Sequence, residues 1–312
     1  MKIIFMGTPE FAVPSLDILV KNGYDVVAVV TSTDSYGGRG GKVLLESAVK
    51  KYAMEHGIPI LQPTRLRDPE FLSQLKSYNA DIQIVVAFRM LPEVVWDMPP
   101  LGSYNLHGSL LPKYRGAAPI NHAIIAGEKT TGVTFFKLKH EIDTGDVLLQ
   151  KEIAISETDD AGSLHDKMKI LAADVVLESV KLIKNGPVEF KPQNDTDATK
   201  APKIFHHTCL IDFSQNVQTV YNFIRGHSPY PGAWTIIDDK EIKILKASYE
   251  NAETCNIPIG TIITNQKNTL KIKCVGGYIH ILEIKPEGKR QMSINDFLNG
   301  QKVNLLDVQV KK

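Results

Sequence analysis

The first half of the chain alternates between two residue periods. Short β-branched runs at Lys2–Met6, Val26–Thr31 and Ile82–Ala87 are bounded by turn residues. Between them, Val13–Asn22, Leu44–His56 and Pro69–Ser77 carry apolar residues at helical spacing, with Asn22-Gly23 as a stop signal. A strand that is apolar on both faces must be covered on both faces. This β-α-β order therefore demands a mostly parallel sheet between helical layers. Tyr104–Leu106 and Val133–Leu138 read as further strands flanking a helix at Ala117–Ala126, and Ala161–Asn185 as a long amphipathic helix.

The texture then changes. Residues 186–203 are rich in Pro, Asn, Asp, Thr and Lys, the composition of a connection crossing a surface. After a helix near Gln215–Ile224 come short strands separated by turns: Ala233–Ile237, Ile242–Ala247, Gly260–Thr264, Leu270–Lys273 and Tyr278–Ile284. These predict a small β-barrel-like domain. The fold class is thus α/β, with an N-terminal domain at 1–188, a linker at 189–206 and a smaller C-terminal domain at 207–312. A length of 312 residues suits two domains.

No apolar run approaches the roughly 20 residues that span a membrane, and Met1–Gly7 enters a strand directly, leaving no room for a leader. A cytoplasmic protein without membrane contact is expected. Cys209, Cys255 and Cys274 are widely spaced and odd in number, which fits reduced thiols, and neither they nor the histidines form a metal-ligand pattern. Charge is uneven. Lys and Arg number 22 against 25 Asp and Glu in residues 1–202 (−3), but 14 against 10 in residues 203–312 (+4). A basic second half is compatible with a polyanionic partner.

Met6-Gly7-Thr8-Pro9 occupies the first strand-to-helix turn, where a dinucleotide-binding chain would carry G-x-G-x-x-G. With one glycine followed by a proline, nicotinamide chemistry loses its main support. A plain tight turn remains.

The chemistry concentrates in residues 105–120, NLHGSLLPKYRGAAPI. In a strand, Asn105 and His107 point to one face, at the carboxyl end where open α/β sheets bind ligands. Downstream, Ile142-Asp143-Thr144-Gly145-Asp146 is a turn-rich loop after the strand Val133–Leu138. If the two strands are neighbours, Asp143 can reach His107 and orient its ring. Ser109 sits in a turn and no nucleophile is placed by spacing, which favours direct transfer between two substrates over a covalent intermediate. The residues alone leave open a structural histidine and an Asx-type turn.

Two other segments admit two readings each. Tyr36-Gly37-Gly38-Arg39-Gly40-Gly41-Lys42 is a surface loop or a glycine-rich approach to a nucleic-acid backbone. Lys243, Lys246, Lys271, Lys273, Lys289 and Arg290 form a phosphate track or a solvated face. His206-His207 reads as a surface pair.

The stretch from Asn105 to Ile120, with the D-T-G-D loop, resembles the signature of the folate-dependent formyltransferases. The opening MGTPEFAVPSL and the segment Ser228–Trp234 are similar to the members that formylate methionyl-tRNA, and the resemblance spans essentially the whole chain. It implies a Rossmann-like N-terminal domain and an OB-like C-terminal barrel. It implies Asn105, His107 and Asp143 as catalytic residues, and a folate site at Ser109, Leu110, Leu111 and Pro112 with Phe88, Met90 and Leu91 walling the pterin. It further implies tRNA contacts by Arg39 and Lys42, and a cis Leu111-Pro112 bond. The donor would be 10-formyltetrahydrofolate, released as tetrahydrofolate without a metal. The acceptor would be initiator methionyl-tRNA, and the chain a monomer. An amino-sugar nucleotide is the alternative acceptor.

Overall fold

The computed structural model describes residues 1–37, 41–252, 256–300 and 310. The chain runs β1 (Lys2–Gly7), α1 (Val13–Lys21), β2 (Asp25–Val30), β3 (Ser35–Gly37), β4 (Val43–Leu45), α2 (Ala48–Glu55), β5 (Ile60–Leu61), α3 (Pro69–Ser77) and β6 (Ile82–Val86). It continues through α4 (Glu93–Trp96), β7 (Ser103–His107), β8 (Arg115–Gly116), α5 (Pro119–Ile125), β9 (Thr130–Lys137), β10 (Val147–Ala154) and α6 (Ala161–Asn185). After β11 (Lys200–Ala201) come α7 (Val217–His227), β12 (Ala233–Ile237), β13 (Lys240–Asn251), β14 (Ile262–Thr264), β15 (Leu270–Cys274), β16 (Gly277–Pro286), β17 (Met292–Ser293) and α8 (Ile294–Asn299).

These elements form two compact units. One comprises residues 1–116, 131–154 and 165–200; the other comprises 117–130, 155–164 and 201–312. The first is built on a seven-stranded sheet of order β10-β9-β7-β6-β1-β2-β5. From β7 to β5 the pairings are parallel, and β9 lies antiparallel on β7. The order reverses on either side of β1, which places a ligand crevice at the carboxyl ends of the strands. Ile3, Phe5, Ile4 and Met6 project alternately to the two faces, and none is more than 1% exposed. Burial of each such side chain stabilises by roughly 1.5–3 kcal/mol. Ile4 and Met6 join Phe71, Leu75, Val85 and Val95 in one core cluster.

Local signals fix the helix starts. Asp68 accepts from the Glu70 amide ahead of Pro69 in α3, Ser47 from the Lys50 amide in α2, and Asn216 from the Gln218 amide in α7. The helix expected over Leu44–His56 is corrected by the second of these caps. Helix α2 begins only at Ala48, and Val43–Leu45 pair instead with Ser35–Gly37 in a hairpin. Their apolar side chains are half exposed, so no core face holds them in a helix.

The second unit carries an antiparallel sheet of order β12-β13-β16-β15-β14, with β17 added on β16. Its inner face, including Ile244, Ile272 and Ile279, packs with Val220 and Ile224 of α7 and Phe297 of α8 in a single core. Register shifts in β13 between Ile244 and Ala247 bend the longest strand, as OB-like sheets require. Helix α7 runs three residues beyond the expected Ile224 end, and β13 extends past the expected Ile242–Ala247 at both ends. Cys209 and Cys274 are free and buried; Cys255 lies outside the described residues. No helix among the described residues is long and apolar enough to cross a membrane.

Candidate active site

Strand β7 ends at the crevice and delivers Asn105 and His107. His107 is 6% exposed, with both ring nitrogens facing acceptors. Nε2 donates to the Tyr114 carbonyl at 2.8 Å, so that nitrogen carries its proton. Nδ1 faces Asp143 Oδ2 at 3.7 Å, close enough for charge attraction and longer than a hydrogen bond. No hydrogen bond among the described residues engages the Asn105 carboxamide, which leaves two donors and an acceptor for a ligand.

Asp143 stands in the loop between β9 and β10 with φ of 56°, a left-handed conformation that aspartate tolerates. Its Oδ2 accepts from the Gly116 amide at 2.9 Å. The loop itself is strapped down by Gln193, whose Nε2 donates to the Asp143 carbonyl at 2.9 Å and the Gly145 carbonyl at 2.7 Å. On the other side of the same amide, Arg115 donates to Gln193 Oε1 from Nε at 3.1 Å and Nη2 at 2.7 Å, and Nη2 also meets Asp195 Oδ1 at 2.7 Å. Gly145 is required by space: a Cβ there would collide with the Lys137 carbonyl and stand 2.8 Å from the Phe136 ring.

Gln193, Asp195 and Thr199, which bonds the Tyr114 amide at 2.8 Å, all lie in the segment that its composition marks as a linker. Far from only crossing a surface, it braces the loop that carries Asp143. Nothing in its composition announces this, since the partners of Gln193 are about 50 and 78 residues away in sequence.

The turn after β7 is set by a buried network. Ser109 Oγ donates to the Lys113 carbonyl, and Thr134 Oγ1 accepts from the Leu111 amide and donates to the Ser109 carbonyl. Gln150 Nε2 donates to the Leu111 carbonyl and to Thr134 Oγ1. The Leu111-Pro112 bond is cis. Leu111 is buried, whereas Leu110 and Pro112 are half-buried. Elsewhere in this unit, Phe88 and Leu91 pack on the core cluster while Met90 is exposed. A cleft of about 540 Å³ beside the Asp143 loop is walled by Trp96, Leu138, Glu141, Thr144, Asp146 and Gln193.

The β3–β4 hairpin presents Tyr36, Val43, Leu44 and Leu45 to solvent. Lys50 grips both its roots, meeting Asp34 on one side and Glu46 at 2.7 Å on the other. Its hydrogen bonds to Asp34 and Glu46 hold the Lys50 ammonium above its usual range, and the bond from Lys50 lowers the Asp34 carboxyl. Lys42 is exposed on this arm, and Arg39 lies outside the described residues. Among the described residues no group of three or more His, Cys, Asp or Glu side chains is arranged to hold a metal.

Comparison with known proteins agrees with this architecture. Residues 1–180 match the family described as Formyl transferase, and residues 203–302 match Formyl transferase, C-terminal domain. The chain is 48% identical over 312 residues to a methionyl-tRNA formyltransferase of Parabacteroides distasonis, covering 97% of this chain and 96% of that one. It is equally 48% identical over 305 residues to a methionyl-tRNA formyltransferase of Flavobacterium psychrophilum, covering 96% of each. The fold is shared with an N-formyltransferase from Helicobacter canadensis solved with folinic acid and dTDP-3-aminofucose (TM-score 0.69, 21% identity, 90% of this chain and 98% of that one). It is also shared with HypX from Aquifex aeolicus solved with tetrahydrofolic acid (TM-score 0.65, 18% identity, 97% of this chain and 50% of that one). Matched in both domains, and at near-half identity along almost its whole length, the chain belongs to the methionyl-tRNA formyltransferase family of formyl transferases.

Proposed function

We propose that this protein transfers the formyl group of 10-formyltetrahydrofolate to the amino group of initiator methionyl-tRNA. The observation that carries the reading is the juxtaposition of the unengaged Asn105 carboxamide with His107 and Asp143, at the carboxyl end of a central strand in a chain of this family.

The amine attacks the formyl carbon, its nitrogen–carbon bond forms, and negative charge gathers on the formyl oxygen. The Asn105 NH₂ and the Nδ1–H of His107, as an imidazolium held charged by Asp143, are the donors for that charge. Because Nε2 is committed to Tyr114, Nδ1 is the only ring nitrogen left for the task. Asp143 takes the proton lost by the amine. The folate N10–carbon bond then breaks, the proton held by Asp143 passes to N10 directly or through water, and tetrahydrofolate leaves. Donors fixed before reaction need no reorganisation, and losing one typically lowers the rate ~10²–10³-fold. Holding both substrates in register supplies much of the remaining acceleration.

For the donor site, the reading unites the cleft beside the Asp143 loop with Ser109, Leu110, Leu111 and Pro112 and with a pterin wall of Phe88, Met90 and Leu91. The β3–β4 arm, through Arg39 and Lys42, contacts the tRNA. In this division residues 1–188 perform the chemistry, 189–206 connect, and 207–312 hold the tRNA. The protein works as a cytoplasmic monomer.

The test offers 10-formyltetrahydrofolate with charged initiator tRNA, charged elongator tRNA and amino-sugar nucleotides in parallel. Formylation of the initiator tRNA is expected, and formylation of a sugar nucleotide alone would overturn the acceptor. In single turnover, Asn105→Ala and His107→Ala are expected to lose the factor above. Near wild-type transfer by both would refute the catalytic assignment.

A further inference from the structure

A second cavity, of about 290 Å³, lies within the C-terminal unit and is bordered by Asn121, Ile204, His206, Tyr230, Pro231 and Lys243. Its walls are unusual in offering ring faces. His206 stacks on Trp234 at 5.0 Å between centroids and 13° between planes, and the Trp234 indole N–H donates to the His206 carbonyl at 2.8 Å. Glu241 meets His206 Nε2 at 3.0 Å and fixes the ring's rotation. One face of His206 is thus taken by Trp234, and its side chain is still 58% exposed. Tyr230 is 83% exposed, so that the apolar face of its ring stands open to solvent. Next along the chain, Phe205 and His207 stack at 5.8 Å and 11°, with Lys203 Nζ 5.5 Å from the Phe205 ring centroid.

Cations border this ring array without filling it. Lys243 Nζ donates to the Pro231 carbonyl at 2.9 Å and keeps two further donors. Asn121 donates from Nδ2 to the Gly226 carbonyl, which leaves its oxygen as an acceptor. Glu241 beside His206 disfavours an anion at that wall, so the ring end suits a flat, uncharged group and the lysine end a phosphate.

We propose that this cavity binds an unpaired nucleotide of single-stranded RNA, its base stacked on His206 and Tyr230 and its phosphate at Lys243. An unpaired base can be splayed out to enter such a stack, and base–aromatic stacking tolerates any base. The proposal rests on the tRNA reading and refines it: the C-terminal unit holds an unpaired stretch of the acceptor substrate, in addition to any contact with duplex phosphates.

The test measures anisotropy of a fluorescently labelled single-stranded RNA tetranucleotide with the full chain, competed by unlabelled tetranucleotide, by a blunt RNA duplex and by tetrahydrofolate. Competition by the tetranucleotide but not by the duplex or the folate is expected. Tyr230→Ala should weaken binding about fivefold or more, and Tyr230→Phe, which keeps the ring face, should restore it. In transfer assays Tyr230→Ala should raise KM for charged tRNA by a similar factor with kcat within about twofold. Wild-type binding by Tyr230→Ala, or displacement by folate in place of RNA, overturns the proposal. Because Tyr230 is exposed, its loss leaves the core intact. If tRNA is formylated while Tyr230→Ala binds RNA normally, this inference alone falls. If the tetranucleotide binds through Tyr230 but no tRNA is formylated, the functional reading alone falls.

Discussion

Replacing Gln193 with alanine removes a side chain that ties the Asp143 loop to the segment behind it. Two hydrogen bonds to the carbonyls of Asp143 and Gly145 are lost, at 2.9 and 2.7 Å, along with two donated by Arg115. Arg115 keeps Asp195 as a partner, so its contribution is largely replaced. The two partly buried carbonyls are not so compensated, and each such bond is worth about 1 kcal/mol net. Roughly 2 kcal/mol of loop ordering is therefore at stake. If all of it is spent on keeping Asp143 at His107, kcat falls about 30-fold, at tenfold per 1.36 kcal/mol. Gln193→Glu separates the two sides of the clamp. It keeps an acceptor for Arg115 but sets a carboxylate against the two carbonyls, so it should be at least as slow as Gln193→Ala. Single-turnover formyl transfer under saturating substrates reads this directly, with the melting temperature measured alongside. Transfer within twofold of wild type in both variants would refute the claim that this clamp orders the catalytic loop. A glutamate variant as fast as wild type beside a slow alanine variant would assign the effect to Arg115.

Three further outcomes follow from the same geometry. Gly145→Ala forces a methyl group against the Lys137 carbonyl and the Phe136 ring; overpacking of this kind costs about 1–3 kcal/mol, and kcat should fall while KM for tRNA stays within about twofold, as steady-state kinetics will show. Burial pushes the pKa of His227 down, against the Phe223 carbonyl that raises it and with His122 lowering it further. The unfolded chain, titrating near about 6.5, then takes up a proton the native state refuses, so this stability is intact above that pH and is lost as pH falls through the lower native pKa. Denaturation midpoints of wild type and His227→Gln at pH 7.5, 6.5 and 5.5 should converge or cross toward acid, and parallel curves would contradict the assignment. Burial raises the Cys274 thiol to about 12, so alkylation followed by mass spectrometry should leave Cys274 unmodified in the native protein and modify it once denaturant is added.

Much of the fold was legible because its signals are local. The strands at Lys2, Val26 and Ile82, helix α3 at Pro69–Ser77 and helix α6 at Ala161–Asn185 are encoded by residue period and by caps a few residues away. Two local signals compete at Leu44 and Leu45: they have helical spacing with α2, but the Ser47 cap starts the helix after them and, with Val43, they pair with Ser35–Gly37. Short elements such as β5, α4 and α8 carry too little periodicity to stand out and are recognised only through the neighbours they pair with or cover.

The candidate site divides along the same line. Asn105 and His107 share a face because a strand has period two, which the sequence by itself determines. The approach of Asp143 to His107, the clamp from Gln193 and the stacking of His206 on Trp234 were decided only by the tertiary structure. Those partners are separated by 28 to 78 residues, and chain spacing says nothing about contact at such range. A segment whose composition marks it as a surface connection, with polar residues and no period, became the brace of the catalytic loop. Polar side chains in a loop carry no period that could foretell their partners. Their hydrogen bonds are settled by what the sheet places opposite them, once hydrophobic burial has fixed where the strands lie.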